Sequence, residues 1–479
     1  MLNIKEKISK EIKIKSISRE DNIHSRYQYR KKNPQKVLIY NIPFIFTCDE
    51  DDKIKIFKNS SLIIEKDIIK EIVSAKKSKN INKNNFDLIY DAGKRGGAVL
   101  TPGFINTHAH IHMYLMRSAM MVDENDVIDK AIIDMAAWQK NEDEDSFAIA
   151  SIGDVTEQQK NGITYTLTHG PSFPSVDITA SLTGQNMVGA ISAISNSRPE
   201  NTPEMIEKLL LSRSNNSVRA AIAVHYLYKT KHRDLDKLRK IKEKFNAIFT
   251  CHLAESVLVA KKNLKKFGLT EVETLEKFGL LDEKTILSHV IHIQNSDIQN
   301  LILSKVGIVH LPTSNMSHKS GTFPFWSFVD NGGLPYISLG TDSVVSKSRL
   351  DVLTESYQTR LTHLYNRTVK FSDLFRMITV NGARVLGVDK KVGRILPGYQ
   401  ADLNFWKLKD RGFIPYDEKD PMTLIGNLIT HHGRTVRDMM IKGKFIIKDR
   451  KHQLVDESKL LENLQKKHMI IRRRASKNK

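Results

Sequence analysis

Cysteine is almost missing from this chain: Cys48 and Cys251 are the only two in 479 residues. A disulfide framework is therefore excluded, and a reducing compartment is expected. Long apolar runs are missing too. No stretch reaches the roughly 18 residues that a membrane-crossing helix needs. The opening MLNIKEKISKEIKIKSISRE alternates charge with isoleucine and lacks the apolar centre of a signal peptide. We expect a soluble, cytoplasmic protein with no membrane partner. Internal repeats, low-complexity linkers and zinc-finger spacings are also absent.

What is abundant is positive charge, a formal net +21. Residues 1–36 carry eleven Lys/Arg against four Asp/Glu, and residues 459–479 carry eight against one. Each tail thus contributes +7 (11 − 4 and 8 − 1), and together they hold 14 of the 21 charges. The body between them is only mildly basic. Solvated, partly helical tails explain this pattern without a nucleic-acid partner, although basic tails also suit weak polyanion contact.

At this length one large elaborated domain or two domains are expected. Eight apolar runs recur, each ending in polar residues and followed by a helix-like segment. They are VLTPGFINTHAH (99–110), ITYTLTHG (163–170), MVGAISAI (187–194), RAAIAVH (219–225), NAIFTCHLAE (246–255), KTILSHVI (284–291), VGIVHLPTS (306–314) and PYISLGTD (335–342). Strands alternating with helices in this number predict an α/β fold, a (β/α)8 TIM barrel, over 99–385. Residues 36–98 and 386–450 read as strands with little helix, and are expected to combine as one small β-sandwich domain. Residues 1–35 then form a basic N-terminal extension and 451–479 a basic C-terminal helix or tail.

In a barrel of this kind the site lies at the C-terminal ends of the strands. Metal-type residues fall there: His108 and His110 at the first strand, His252 at the fifth, His289 at the sixth and Asp342 at the eighth. His108 and His110 share a parity, so a strand directs both to one side. Imidazoles and a carboxylate suit Zn²⁺, with Fe²⁺ as a second candidate, and a bound water on such a metal has a pKa of about 7.

The stretches PGFINTHAHIHMYLMRS, TCHLAES, LSHVIHI, VHLPTSN, SLGTDS and VGRILPGYQADLNFW resemble the amidohydrolase superfamily. The branch is the cytosine-deaminase-like and triazine-hydrolase-like one, in the pattern of deaminases acting on S-adenosylhomocysteine or methylthioadenosine. The resemblance spans about residues 37–447. It implies His108, His110, His252 and Asp342 as ligands of one zinc per subunit. It further implies Glu255 as a proton shuttle, His289 as holder of the attacked water or developing oxyanion, and His225 as a substrate contact. A homodimer is also implied. His310 is expected on the substrate side, and Gln139 stands where those deaminases have a ribose-binding glutamate. His112 is expected in the pocket wall, His292 in the following helix, and Arg117 in an ion pair.

Two departures bear on substrate: AVHYLYKTKH replaces the HAPYT-type stretch, and Met187 stands where an arginine is expected. The expected function is hydrolytic deamination of an aromatic nitrogen heterocycle (purine, pterin, pyrimidine or nucleoside derivative), with Glu255, His289 and Asp342 catalytic. Dechlorination or cyclic-amide hydrolysis of a related ring is the alternative. A non-enzymatic reading, an inactive barrel binding polyanions through its tails, has the intact ligand set against it.

Overall fold

The run 98–110 looks continuous but is cut by Gly103, where a Cβ would lie 2.0 Å from Thr164 Oγ1. Only glycine passes so close. The residues before the cut belong to one sheet and those after it to another. The computed structural model describes residues 2–14, 26–119, 135, 138–194, 198–213, 218–431 and 436–477.

The first sheet contains β1 (Tyr27–Tyr29), β2 (Lys36–Cys48), β3 (Ile54–Glu65), β4 (Ile68–Val73), β5 (Leu88–Asp91) and β6 (Ala98–Pro102). The barrel strands are β7 (Phe104–Ala109), β8 (Ile163–Gly170), β9 (Asn186–Ser192), β10 (Arg219–Val224), β11 (Phe249–Leu253), β12 (Thr285–His289), β13 (Gly307–His310) and β14 (Ile337–Leu339). The chain then returns to the first sheet with β15 (Leu403–Lys407), β16 (Asp438–Ile441), β17 (Lys444–Lys448) and β18 (Lys451–His452). The β domain made by the two flanks is one ten-stranded mixed sheet, in which β6 pairs with β15. It curls around Ile39, Tyr90, Leu100, Leu403, Phe405 and Met440.

A buried charge cluster ties the ends of this sheet together. Asp438 accepts from Tyr27 Oη at 2.5 Å, Tyr90 Oη at 2.6 Å, Arg437 Nε at 3.0 Å and Arg26 Nη2 at 3.0 Å. Burial would raise the Asp438 carboxyl, but Arg437, Arg26 and the two phenols outweigh it and hold it below the usual carboxylate range. Removing one member of such a set strands the others without water. We expect Asp438→Asn to cost about 3–5 kcal/mol of stability, read as a lower urea midpoint; an unchanged midpoint would contradict this.

All eight barrel strands are parallel and follow chain order, and a bridge between Ala109 and Asp342 closes the ring. Alternate residues point inward: Leu167, Val188, Ala190, Ala221, Ala223, Ile248, Ile286 and Val309 form one cluster. Extending the same parity to the strand ends brings His169, Ser192, His225, His252 and Ser288 to the inner side of one mouth. On β7 the pairing slips between Asn106 and Ala109.

Each terminal helix packs one apolar stripe against the body. Helices Leu2–Ile12 and Glu457–Lys477 place Ile8, Ile12, Leu460, Leu464 and Ile471 in a cluster with Met113, Leu115, Met116 and Ile152. The isoleucines that alternate with charge in the first helix recur every four residues, which makes a helical stripe. His468 Nδ1 donates to the Leu115 carbonyl at 2.7 Å, so the last helix braces the segment that follows β7. Among the described residues no helix is long and apolar enough to cross a membrane.

Candidate active site

Three histidines at the barrel mouth, His108, His110 and His252, turn one ring nitrogen each toward a common point. His110 Nδ1 donates to the His169 carbonyl at 2.8 Å, and His252 Nδ1 donates to the His225 carbonyl at 3.0 Å. A carbonyl only accepts, so each bond fixes the tautomer and leaves Nε2 as a bare lone pair. Those two Nε2 atoms face each other at 3.2 Å. Two lone pairs at that separation repel unless a cation lies between them. His108 adds a third when its Nδ1–H donates to Ser288 Oγ at 2.8 Å, since its buried Nε2 has no partner among the described residues. One nitrogen of each ring lies within 4.8 Å of the others. Burial first, and then the neighbouring imidazoles, push His108 and His252 well below the usual histidine range. Burial also lowers His110, against the pull of Asp342. Neutral imidazole is the form that binds metal. The residues present fit a divalent cation.

Asp342 lies beside the three histidines. Its Oδ1 is 3.6 Å from His110 Nε2, while Oδ2 accepts from Ser314 Oγ at 2.5 Å and Ser346 Oγ at 2.9 Å. One oxygen is thus pinned and the other faces the histidines. Burial would raise this carboxyl, but His110, His289 and the Ser314 hydroxyl bring it below its ordinary value.

Glu255 and His289 form the adjoining pair. Glu255 Oε2 accepts the Tyr226 hydroxyl at 2.5 Å, and Oε1 lies 3.6 Å from His289 Nε2. Burial and the Glu255 charge push the Tyr226 phenol well up, so it remains a donor. His289 Nδ1 pairs with Asn315 Oδ1 at 2.8 Å, which leaves its buried Nε2 free of hydrogen bonds among the described residues. Ala254 (φ 48°), His289 (φ 71°), Val290 (φ 52°) and Asp342 (φ 57°) have left-handed backbone. Strained backbone of this kind collects at sites where side chains must be aimed.

A cavity of about 390 Å³ opens beside this centre, lined by His110, His112, Gln139, His169, His225, Tyr226 and Lys229, among others. Gln139 Nε2 lies 3.4 Å from His112 Nε2. His310 is placed differently. Val309 carries the inward parity, so the His310 ring turns outward onto Phe323 (4.8 Å between centroids) and His363 Nε2 (3.2 Å), and it is not among the cavity residues. His292 is in the loop before the helix Asn295–Leu303, not in it, with Nε2 at 2.6 Å from the Ser320 carbonyl. The left-handed turn at His289 and Val290 delays that helix. Arg117 makes its ion pair with Glu157 at 2.9 Å. A larger cavity of about 1200 Å³ lies between the β16–β17 hairpin and helix Phe173–Thr183, lined by Lys5, Lys32, Lys442 and Lys444 among others, and holds none of the site residues.

The sequence reading passed over His169. It is the next-to-last residue of β8, as His252 is of β11, its ring lies 5.4 Å from His110 and 5.1 Å from His252, and Nε2 contacts Ser192 Oγ at 2.9 Å. Its position on the inward parity of TLTHG was the available signal.

The amidohydrolase family profile matches residues 99–446. The 5-methylthioadenosine/S-adenosylhomocysteine deaminase of Pyrococcus furiosus is 28% identical over 420 residues, covering 85% of this chain and 95% of that one. An adenosine deaminase from Xanthomonas campestris with bound zinc superposes with a TM-score of 0.79 at 19% identity, covering 91% of this chain and 98% of the other. A triazine hydrolase from Arthrobacter aurescens gives 0.80 at 18% identity, covering 91% and 99%. With the barrel, the histidine cluster and a match running from β6 to β17, the chain belongs to the amidohydrolase family.

Proposed function

We propose that this chain is a metal-dependent deaminase that replaces the amino group on an electron-poor ring carbon of a nitrogen heterocycle with a hydroxyl, releasing ammonia. The observation that carries the reading is the pairing of a three-imidazole, one-carboxylate cradle with a buried Glu255 at its side. The chemistry of the site asks for both. His108, His110, His252 and Asp342 would hold zinc, and the zinc bound in the Xanthomonas adenosine deaminase supports that choice over iron. A divalent cation there supplies Lewis acidity, which brings a water's pKa to about 7.

The chain's own groups would then manage protons. Tyr226 holds Glu255 Oε2, which leaves Oε1 to deliver a proton to the ring nitrogen next to the attacked carbon. Asp342 Oδ1 would receive the first proton from the attacking water, since Oδ2 is committed to two serines. Only as an imidazolium, with Nδ1–H kept on Asn315 Oδ1, would His289 donate from Nε2 to the developing negative charge on the attacking oxygen. Recharged by the proton that Asp342 took from the water, Glu255 would then protonate the departing amine, which is a poor leaving group without that proton, and the attacking oxygen's remaining proton would restore Glu255 as the ring carbonyl forms. Carbon–nitrogen cleavage yields ammonia and the ring carbonyl tautomer, so water's atoms are all accounted for. His225, Gln139 and His169 line the cavity where the rest of the substrate would lie.

The names of the relatives make 5′-substituted adenosines the first compounds to test, followed by purines, pterins and pyrimidines. We expect ammonia from at least one of them at a kcat above about 1 s⁻¹. Release of chloride or a ring-opened acid without ammonia would favour the displacement chemistry that the triazine hydrolase's name suggests, and would contradict deamination.

A further inference from the structure

We propose that Glu271 is a positioning residue for Glu255, acting through the backbone of Ala254. The inference rests on the proton-carrying role proposed for Glu255. Glu271 opens the helix Glu271–Lys277, yet that helix does not need it: Thr270 and Glu273 already form a reciprocal capping box. Its side chain instead turns inward and is buried, and Oε2 accepts the Ala254 N–H at 2.8 Å. Oε1 has no hydrogen-bond partner among the described residues. Burial pushes the carboxyl up to about 8; the Ala254 N–H pulls the other way, and nearby Glu255 adds to the rise. A glutamate is rarely buried so fully without a task.

The task is visible at Ala254, whose φ is 48°. That region is disfavoured for a residue bearing a Cβ, so something must hold the chain there. The Ala254 carbonyl accepts the His292 N–H at 3.0 Å, and Glu271 holds the opposite side of the residue. Leu253 ends β11 on one side of Ala254, and Glu255 follows on the other. If Ala254 relaxes, the Glu255 carboxyl rotates away from Tyr226 and His289. A misplacement of about 1 Å is worth up to about 10²-fold in rate.

The test uses four variants of the full-length protein, with the best ammonia-releasing heterocycle as substrate. Glu271→Ala is expected to lose about 10- to 100-fold in kcat, with KM within about threefold and metal content unchanged. Glu271→Gln keeps an acceptor oxygen for Ala254 and is expected to stay within about threefold of wild type. Glu271→Asp keeps the charge but is too short to reach, so it should resemble Glu271→Ala; it also serves if the alanine variant fails to fold. Adding Ala254→Gly to Glu271→Ala should recover most of the loss, because glycine adopts that φ without penalty. Hydrogen exchange at the Ala254 amide gives a readout independent of turnover: protection is expected in wild type and Glu271→Gln, and its loss in Glu271→Ala and Glu271→Asp. Either a Glu271→Asp variant with wild-type kcat, or Ala254 protection that survives in Glu271→Ala, overturns the proposal. A wild-type protein that releases no ammonia fails the deaminase reading instead, and the exchange experiment still decides the role of Glu271.

Discussion

Glu255→Gln is expected to bind its metal and substrate normally and to lose at least about a thousandfold in kcat. General acid–base groups contribute about 10²- to 10⁴-fold, and a residue that moves protons at both the ring nitrogen and the leaving amine belongs at the upper end. The substitution is nearly isosteric. Its amide oxygen still accepts the Tyr226 hydroxyl, so the side chain stays where the 2.5 Å bond now holds it. Only the proton is lost. Steady-state ammonia release gives kcat, and metal analysis of the same sample shows whether the centre is intact. If the variant kept more than a tenth of wild-type turnover, Glu255 would be a bystander.

His108→Ala should fail differently, with metal and activity disappearing together. Its Nε2 is one of three imidazole nitrogens facing the same point, and its loss leaves two. Removing an outer-shell partner of a metal ligand costs about 10- to 100-fold in affinity or activity, so removing a ligand itself should exceed that range. A metal that binds only the native state also stabilises it. Chelation should therefore lower the thermal midpoint of wild type and leave that of His108→Ala unchanged. An alanine variant that retained stoichiometric metal would remove His108 from the ligand set.

The contrast between His108 and His310 shows what the sequence could and could not reveal. Eight strands were legible because each is a short apolar run followed by a helix-like segment, and eight parallel strands form the barrel. The same patterning marked the strand ends, where His108, His110, His252, His289 and Asp342 converge. It could not fix which side of β13 faces inward, since both sides of a barrel strand are apolar. His310 accordingly faces the helices, against Phe323 and His363. The break at Gly103 was hidden for a similar reason: the clash that requires glycine there involves Thr164, which is distant in sequence. Ser288, Ser314, Ser346 and Asn315 orient the site residues, yet a serine or asparagine at or just after a strand end carries no distinguishing signal. The terminal helices were misleading because their charge dominates their composition. Four buried residues per helix or fewer, such as Ile8, Ile12, Leu460 and Leu464, are enough to dock them.

The most direct measurement is ammonia release by protein stripped with a chelator and then titrated with zinc. The expected result is negligible release from the stripped protein, rising to a plateau at about one equivalent per chain. Release that is unaffected by stripping, or that never appears at any zinc content across the heterocycle panel, would contradict a metal-dependent deaminase.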